Sequence, residues 1–188
     1  MDTDDPPGFT LFDTPIGPCA LVWSARGLIG VALPDARAQV RRRFRGAHDR
    51  APPPDVQRAV ERVLALLQGA MDDLQDIALD LRGLPAFNTR VYAIARRIPP
   101  GATRSYGEIA RELGEPSAAR GILPGRAARA VGQALGANPF PIIVPCHRVL
   151  AAGHRAGGFS APGGARTKLR LLEIEGAPLG GTPGLFDN

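Results

Sequence analysis

Aromatic side chains are scarce, at 5% of 188 residues, so the core must be packed from alanine, leucine, valine and isoleucine. Lysine is almost absent: Lys168 stands alone among the arginines. There are only two cysteines, Cys19 and Cys146. The acidic N-terminus, Met1-Asp-Thr-Asp-Asp-Pro-Pro7, lacks the basic-then-apolar order of an export signal. Two free thiols in a cytoplasmic protein are therefore expected, rather than a disulfide. Those cysteines and the three histidines (His48, His147, His154) have no zinc-ligand spacing, so neither metal nor cofactor is expected. No apolar run approaches the roughly 18 residues that span a bilayer.

What remains is an ordinary globular composition, 44% hydrophobic, long enough for one medium or two small domains. The 23 glycines and 19 prolines are scattered, which implies many turns. The net charge of +5 is unevenly spread. Residues 1–85 hold ten arginines against twelve acids, whereas residues 86–188 hold twelve arginines and Lys168 against six acids. A polyanion would bind the second half.

The first part has strand character. Phe9–Phe12, Cys19–Trp23 and Leu28–Leu33 are short apolar runs separated by Pro15-Ile-Gly-Pro18 and Ser24-Ala-Arg-Gly27, an antiparallel meander. Ala36–Arg45 is a basic helix candidate, and Ala51–Pro54 a linker. Asp55 is a candidate N-cap for a helix with Val56, Val60, Val63, Leu64 and Leu67 on one face. Ile77–Leu81 has the pattern of another strand. After Pro85 the pattern turns helical: Phe87–Ile98, a helix opened by the capping box Ser105-Tyr-Gly-Glu108, Arg126–Leu135 stopped by Gly136, and Thr167–Glu175 stopped by Gly176. Ile142–Val144 is a short strand-like run ending in Pro145, and Ala177–Asn188 a surface tail. The paired short helices fit a helix-turn-helix or an ordinary αα-hairpin.

Chemistry concentrates in Asn138-Pro-Phe-Pro-Ile-Ile-Val-Pro-Cys-His-Arg-Val149. A thiol is nucleophilic as thiolate, and the adjoining His147 and Arg148 would favour that form. The wider order is Phe87-Asn, Ile98-Pro-Pro-Gly-Ala-Thr, Ser105-Tyr-Gly-Glu-Ile-Ala, Ala127-Ala-Arg-Ala-Val-Gly-Gln-Ala, Asn138-Pro, Val144-Pro-Cys-His-Arg-Val and Gly158-Phe-Ser. It resembles the O6-alkylguanine-DNA alkyltransferases, strongly over about residues 86–176. Residues 8–85 match only in layout and in openings such as Phe12-Asp-Thr-Pro-Ile-Gly.

The resemblance implies an α+β protein: a ribonuclease-H-like sheet with helices over residues 1–85, then a winged-helix-like, helix-turn-helix domain over residues 86–188. It implies a monomer that binds double-stranded DNA through the minor groove and everts an alkylated guanine. Cys146 would take the alkyl group irreversibly, once per molecule. His147 would accept the thiol proton, Glu175 would orient His147, and Asn138 would brace the preceding turn. Tyr106 would protonate the leaving guanine and Ser160 would donate near O6. Phe159 would stack on the base, and the carbonyls of Cys146 and Val149 would read its amino group. Arg129, or alternatively Arg120, would fill the vacated stack, Leu135 would wedge the minor-groove side, and Lys168 counts among the substrate- and DNA-binding residues.

Two departures from the family pattern stand out. About nine residues are inserted between the paired helices, giving two Ala-Ala-Arg turns, at Ala118–Arg120 and Ala127–Arg129. The segment Phe159-Ser-Ala-Pro-Gly-Gly164 is about two residues long in excess and would reshape the pocket lip. The alternatives are a non-enzymatic lesion sensor of the same architecture and a helix-turn-helix transcription factor.

Overall fold

The computed structural model describes residues 5–114 and 124–178. Arg120, most of the inserted loop and most of the C-terminal tail lie outside the described residues. The fold is mixed α+β. Strands β1 (Gly8–Phe12), β2 (Cys19–Ser24) and β3 (Gly27–Ala32) form the expected antiparallel meander, and β4 (His48–Asp49) adds a parallel edge beside β1, in the order β3-β2-β1-β4.

Alternation along central β2 explains its unbroken apolar run. Cys19, Leu21 and Trp23 face the main core, while Ala20 and Val22 face a smaller cluster closed by Ala36 and Val40 of α1 (Ala36–Arg43). Helix α1 is held by buried Gln39, whose Nε2 donates to the carbonyls of Leu33 (2.6 Å) and Pro34 (3.0 Å). The Phe44 ring closes over Gly30, leaving no room for any side chain there.

Helix α2 (Pro54–Leu67) buries Val56, Ala59, Val60, Val63, Leu66 and Leu67. Its cap is Pro53, with Pro54 at the first helical position, instead of Asp55; proline suits that position because its missing N–H has no partner to lose. Ile77–Leu81 is not a strand. A single bridge joins Leu79 to Leu28, with Leu28 N donating to Ala78 O and Asp80 N to Leu28 O.

Helix α3 (Ala86–Arg96) leads to a two-residue strand β5 (Arg104–Ser105) and α4 (Tyr106–Glu112). The Ser105–Glu108 capping box is formed in both directions. Helix α5 (Pro124–Gly136) packs on α3 and α4. The nucleophile segment follows as one 3-10 turn (Cys146–Arg148), then β6 (Val149–Leu150), a second 3-10 turn (Ala152–His154) and α6 (Ala165–Ile174). No described helix is long and apolar enough to cross a membrane.

Ile142–Val144 is a turn rather than a strand. Val144 N donates to Phe140 O, and Ile142 has φ 77°, a left-handed conformation that a β-branched side chain rarely adopts. Burial holds it there, since Ile142 is 1% exposed. The main core runs from β2, β3 and α2 through α3, α4 and α5 to the residues around Cys146.

Candidate active site

Local backbone pairing brings the site together. β5 and β6 lie parallel, with Arg104 opposite Val149 and Ser105 opposite Leu150. This ladder sets the capped first turn of α4, and so Tyr106, beside the turn that carries Cys146. Helices α4 and α5 and the segment 151–160 line a cleft of about 780 Å³. Tyr106, Arg129, Leu135, Cys146, Phe159 and Ser160 all line it.

Asn138 binds both ends of the strained turn. Its Oδ1 accepts from Phe140 N (2.9 Å), and its Nδ2 reaches Val144 O (2.9 Å) and Cys146 Sγ (3.3 Å). Asn138→Ala would leave the buried Phe140 N–H unmatched, while the Val144 carbonyl would keep the Cys146 N–H (2.7 Å). Denaturant unfolding is expected to show a loss of about 1–3 kcal/mol, the cost of one orphaned buried group. An unchanged midpoint would mean the turn does not depend on this amide.

Cys146 is 6% exposed, at the floor of the cleft. Burial raises its thiol above the usual range. The Asn138 amide, the Lys168 charge and the backbone N–H groups of Cys146 and His147 pull the other way without cancelling it. The resting group is a neutral thiol, contrary to the thiolate expected from its charged neighbours. Burial is the reason, and Arg148, the neighbour expected to oppose it, is engaged elsewhere. Only 1% exposed, it grips Glu175 with two bonds, Nε to Oε2 (2.9 Å) and Nη2 to Oε1 (2.8 Å), and its Nη1 donates to Ile98 O (2.6 Å).

Glu175 also meets His147, with Nε2 at 2.8 Å from Oε1. Burial alone would raise the Glu175 carboxyl, but its bonds to His147 and Arg148 overcome this and hold it at about 2. An ionised carboxylate can only accept, so His147 Nε2 carries the proton. Burial lowers the His147 pKa further than Glu175 raises it, which keeps the ring neutral. Its Nδ1 is then a buried lone pair with no hydrogen-bond partner among the described residues. The site thus holds a neutral thiol, a neutral imidazole with a free acceptor, and a carboxylate clamped behind it.

On the opposite wall, burial raises the Tyr106 phenol, with the nearby Cys146 adding to the effect, so the phenol keeps its proton at neutral pH. Lys168, expected among the substrate- and DNA-binding residues, lies beneath the site. It is fully enclosed, its Nζ donates to Val149 O (2.6 Å) and it lies 5.7 Å from the centre of the Tyr106 ring. Burial lowers its ammonium to about 8 against the opposing pull of Cys146. Leu135 lines the cleft but is only 4% exposed, on the buried stripe of α5 with Val131 and Ala134. Arg129 is exposed on the cleft wall, Phe159 half-buried and Ser160 exposed on the lip. Sequence reasoning missed the Arg148 clamp and the Lys168–Val149 bond. For Arg148 the overlooked signal was a charge set between the apolar Val144-Pro145 and Val149-Leu150, which requires a buried partner.

Comparison with known proteins agrees with this geometry. Residues 86–177 match the family model described as 6-O-methylguanine DNA methyltransferase, DNA binding domain. A Mycobacterium tuberculosis protein named methylated-DNA–protein-cysteine methyltransferase is 37% identical over 179 residues, covering 95% of this chain and 98% of the relative. A Thermus thermophilus protein named DNA base-flipping protein is 43% identical over 120 residues, 64% of this chain and 73% of the relative. The structure of Mycobacterium tuberculosis OGT in complex with DNA superposes with a TM-score of 0.71 at 36% identity, covering 91% of this chain and 95% of that one. With a nucleophile turn of this chemistry and a full-length relative at this identity, the chain belongs to the methylated-DNA–protein-cysteine methyltransferase family.

Proposed function

We propose that this protein repairs DNA by moving an alkyl group from guanine O6 to Cys146, once per molecule. The observation that carries the reading is Cys146 Sγ at the floor of a base-sized cleft, with the neutral His147 and ionised Glu175 behind it. His147 takes the thiol proton as Sγ attacks the alkyl carbon. The C–O bond breaks, its electrons pass to guanine O6, and the Tyr106 phenol supplies the proton the leaving base needs. The products are a thioether on Cys146 and an unmodified guanine. Among the described residues nothing near Sγ could cleave a thioether, so the protein is spent.

The target carbon lies inside a duplex, so the base must be everted into the cleft. Arg129, exposed on α5, fills the gap in the stack. Phe159 stacks on the base and Ser160 donates near O6. The Val149 carbonyl reads the amino group with its second lone pair, its first being held by Lys168. In this reading α4 and α5 form a helix-turn-helix of winged-helix type that enters the minor groove, and residues 1–85 form a ribonuclease-H-like unit before the boundary at 85/86. The protein acts as a monomer in the cytoplasm.

Mass spectrometry after incubation with O6-methylguanine DNA tests the proposal. The expected result is one added methyl group on the Cys146 peptide, with the extent of reaction limited to one equivalent under excess DNA. Unchanged mass with a lesion-dependent gel shift would replace transfer with sensing. Turnover beyond one equivalent would exclude the irreversible step.

A further inference from the structure

The family's DNA-binding model begins at residue 86, yet the densest run of positive charge precedes it. Five arginines lie on or just beyond α1: Arg37, Arg41, Arg42, Arg43 and Arg45, all exposed. Two have acidic partners, Arg37 with Asp49 and Arg42 with Asp35. Arg41, Arg43 and Arg45 form no ion pair among the described residues. We propose that these three arginines form an accessory phosphate-binding surface that grips the flank of the duplex whose base occupies the cleft.

The position of the helix end supports this. Phe44 closes over Gly30, and the next residue, Val31, donates its N–H to Pro139 O (2.8 Å). Phe44, Pro139 and Phe140 line one shallow groove, so the basic end of α1 abuts the turn that follows Asn138. Nearby, Tyr92 of α3 donates to Ala134 O of α5 (3.0 Å), one residue from the cleft residue Leu135, and the Arg43 charge partly offsets the burial that raises the Tyr92 phenol. The arginines therefore stand beside the C-terminal end of α5. This inference rests on the proposed function, because DNA seated on α5 is what brings phosphates there.

Cations in the last turn of a helix also offset its dipole, and that role would need no DNA. The two roles separate in salt dependence, since each phosphate neutralised adds about 0.9 to the slope of log binding constant against log salt. A R41Q/R43Q/R45Q chain is compared with the parent and with R41K/R43K/R45K, using duplex carrying O6-methylguanine and, separately, the free base. The slope should fall by about 2–3 in the glutamine chain and remain in the lysine chain. Transfer from free O6-methylguanine, which has no phosphate, should be equal in all three. An unchanged slope in the glutamine chain would overturn the proposal. Absence of transfer in the parent would instead refute the proposed chemistry, while the slope, read from binding alone, would still decide the arginine surface.

Discussion

Cys146→Ala is expected to abolish methyl transfer completely while leaving lesion-dependent DNA binding in place. Only two thiols exist, and they differ in kind. Cys19 lies in β2, fully buried, and burial pushes its thiol up to about 11 despite the Thr14 hydroxyl. It lines no part of the cleft that holds Tyr106 and Arg129. Cys146 opens on that cleft and begins a turn whose backbone N–H groups favour its ionised form. Intact-mass measurement should therefore show no added methyl in the alanine chain, and a gel shift should still favour methylated over unmodified duplex. A methyl group appearing at Cys19 would move the nucleophile to the wrong half of the molecule. Binding without lesion preference would leave a general DNA-binding protein.

Glu175→Gln should slow transfer by about 10²–10⁴-fold, the usual size of a proton-transfer contribution. The glutamine can still accept from His147 Nε2, so the ring keeps its tautomer. What is lost is the negative charge that stabilises imidazolium when His147 takes the proton. The same change leaves Arg148, 1% exposed, without its counter-charge. Breaking a buried pair by removing one partner costs about 3–5 kcal/mol, so the unfolding midpoint should also fall. Full stability with slowed transfer would show that Arg148 finds another acceptor. Unchanged transfer would remove Glu175 from the mechanism.

The same network sets a pH dependence. The Glu175 pKa is about 2 when folded against an ordinary 4.5, so the unfolded chain binds more protons in that interval. Its contribution is present above about 4.5 and is lost as pH falls toward 2. The His147 pKa is also lowered on folding, so the unfolded state again takes up protons first and stability begins to decline below the ordinary histidine value of 6.5.

Features encoded by neighbouring residues were legible in the sequence. The Ser105–Glu108 capping box is a four-residue signal, and both its bonds form. The meander was legible because turns separate three short apolar runs. Ile77–Leu81 looked like a strand, but only Leu79 finds a partner, and composition cannot show how many neighbours a segment meets. Ile142–Val144 looked extended because it is apolar, whereas the Asn138 bonds fold it into a turn. Pro-Cys-His-Arg marked the nucleophile. That Arg148 serves Glu175 rather than the thiol depends on a contact between residues 27 apart, which α6 determines when it packs on the 146–148 turn. The same packing encloses Lys168, which donates to the Val149 carbonyl.

The 6% exposure of Cys146 has one more consequence. A protein consumed by its single reaction must keep its sulfur unreacted until damage arrives. Peroxide oxidation and mixed-disulfide formation both run through exposed thiolate, and this atom is neither exposed nor ionised at rest. Recessing the nucleophile slows its approach to every electrophile except one carried inward on a planar base, and so preserves each copy through long idle periods.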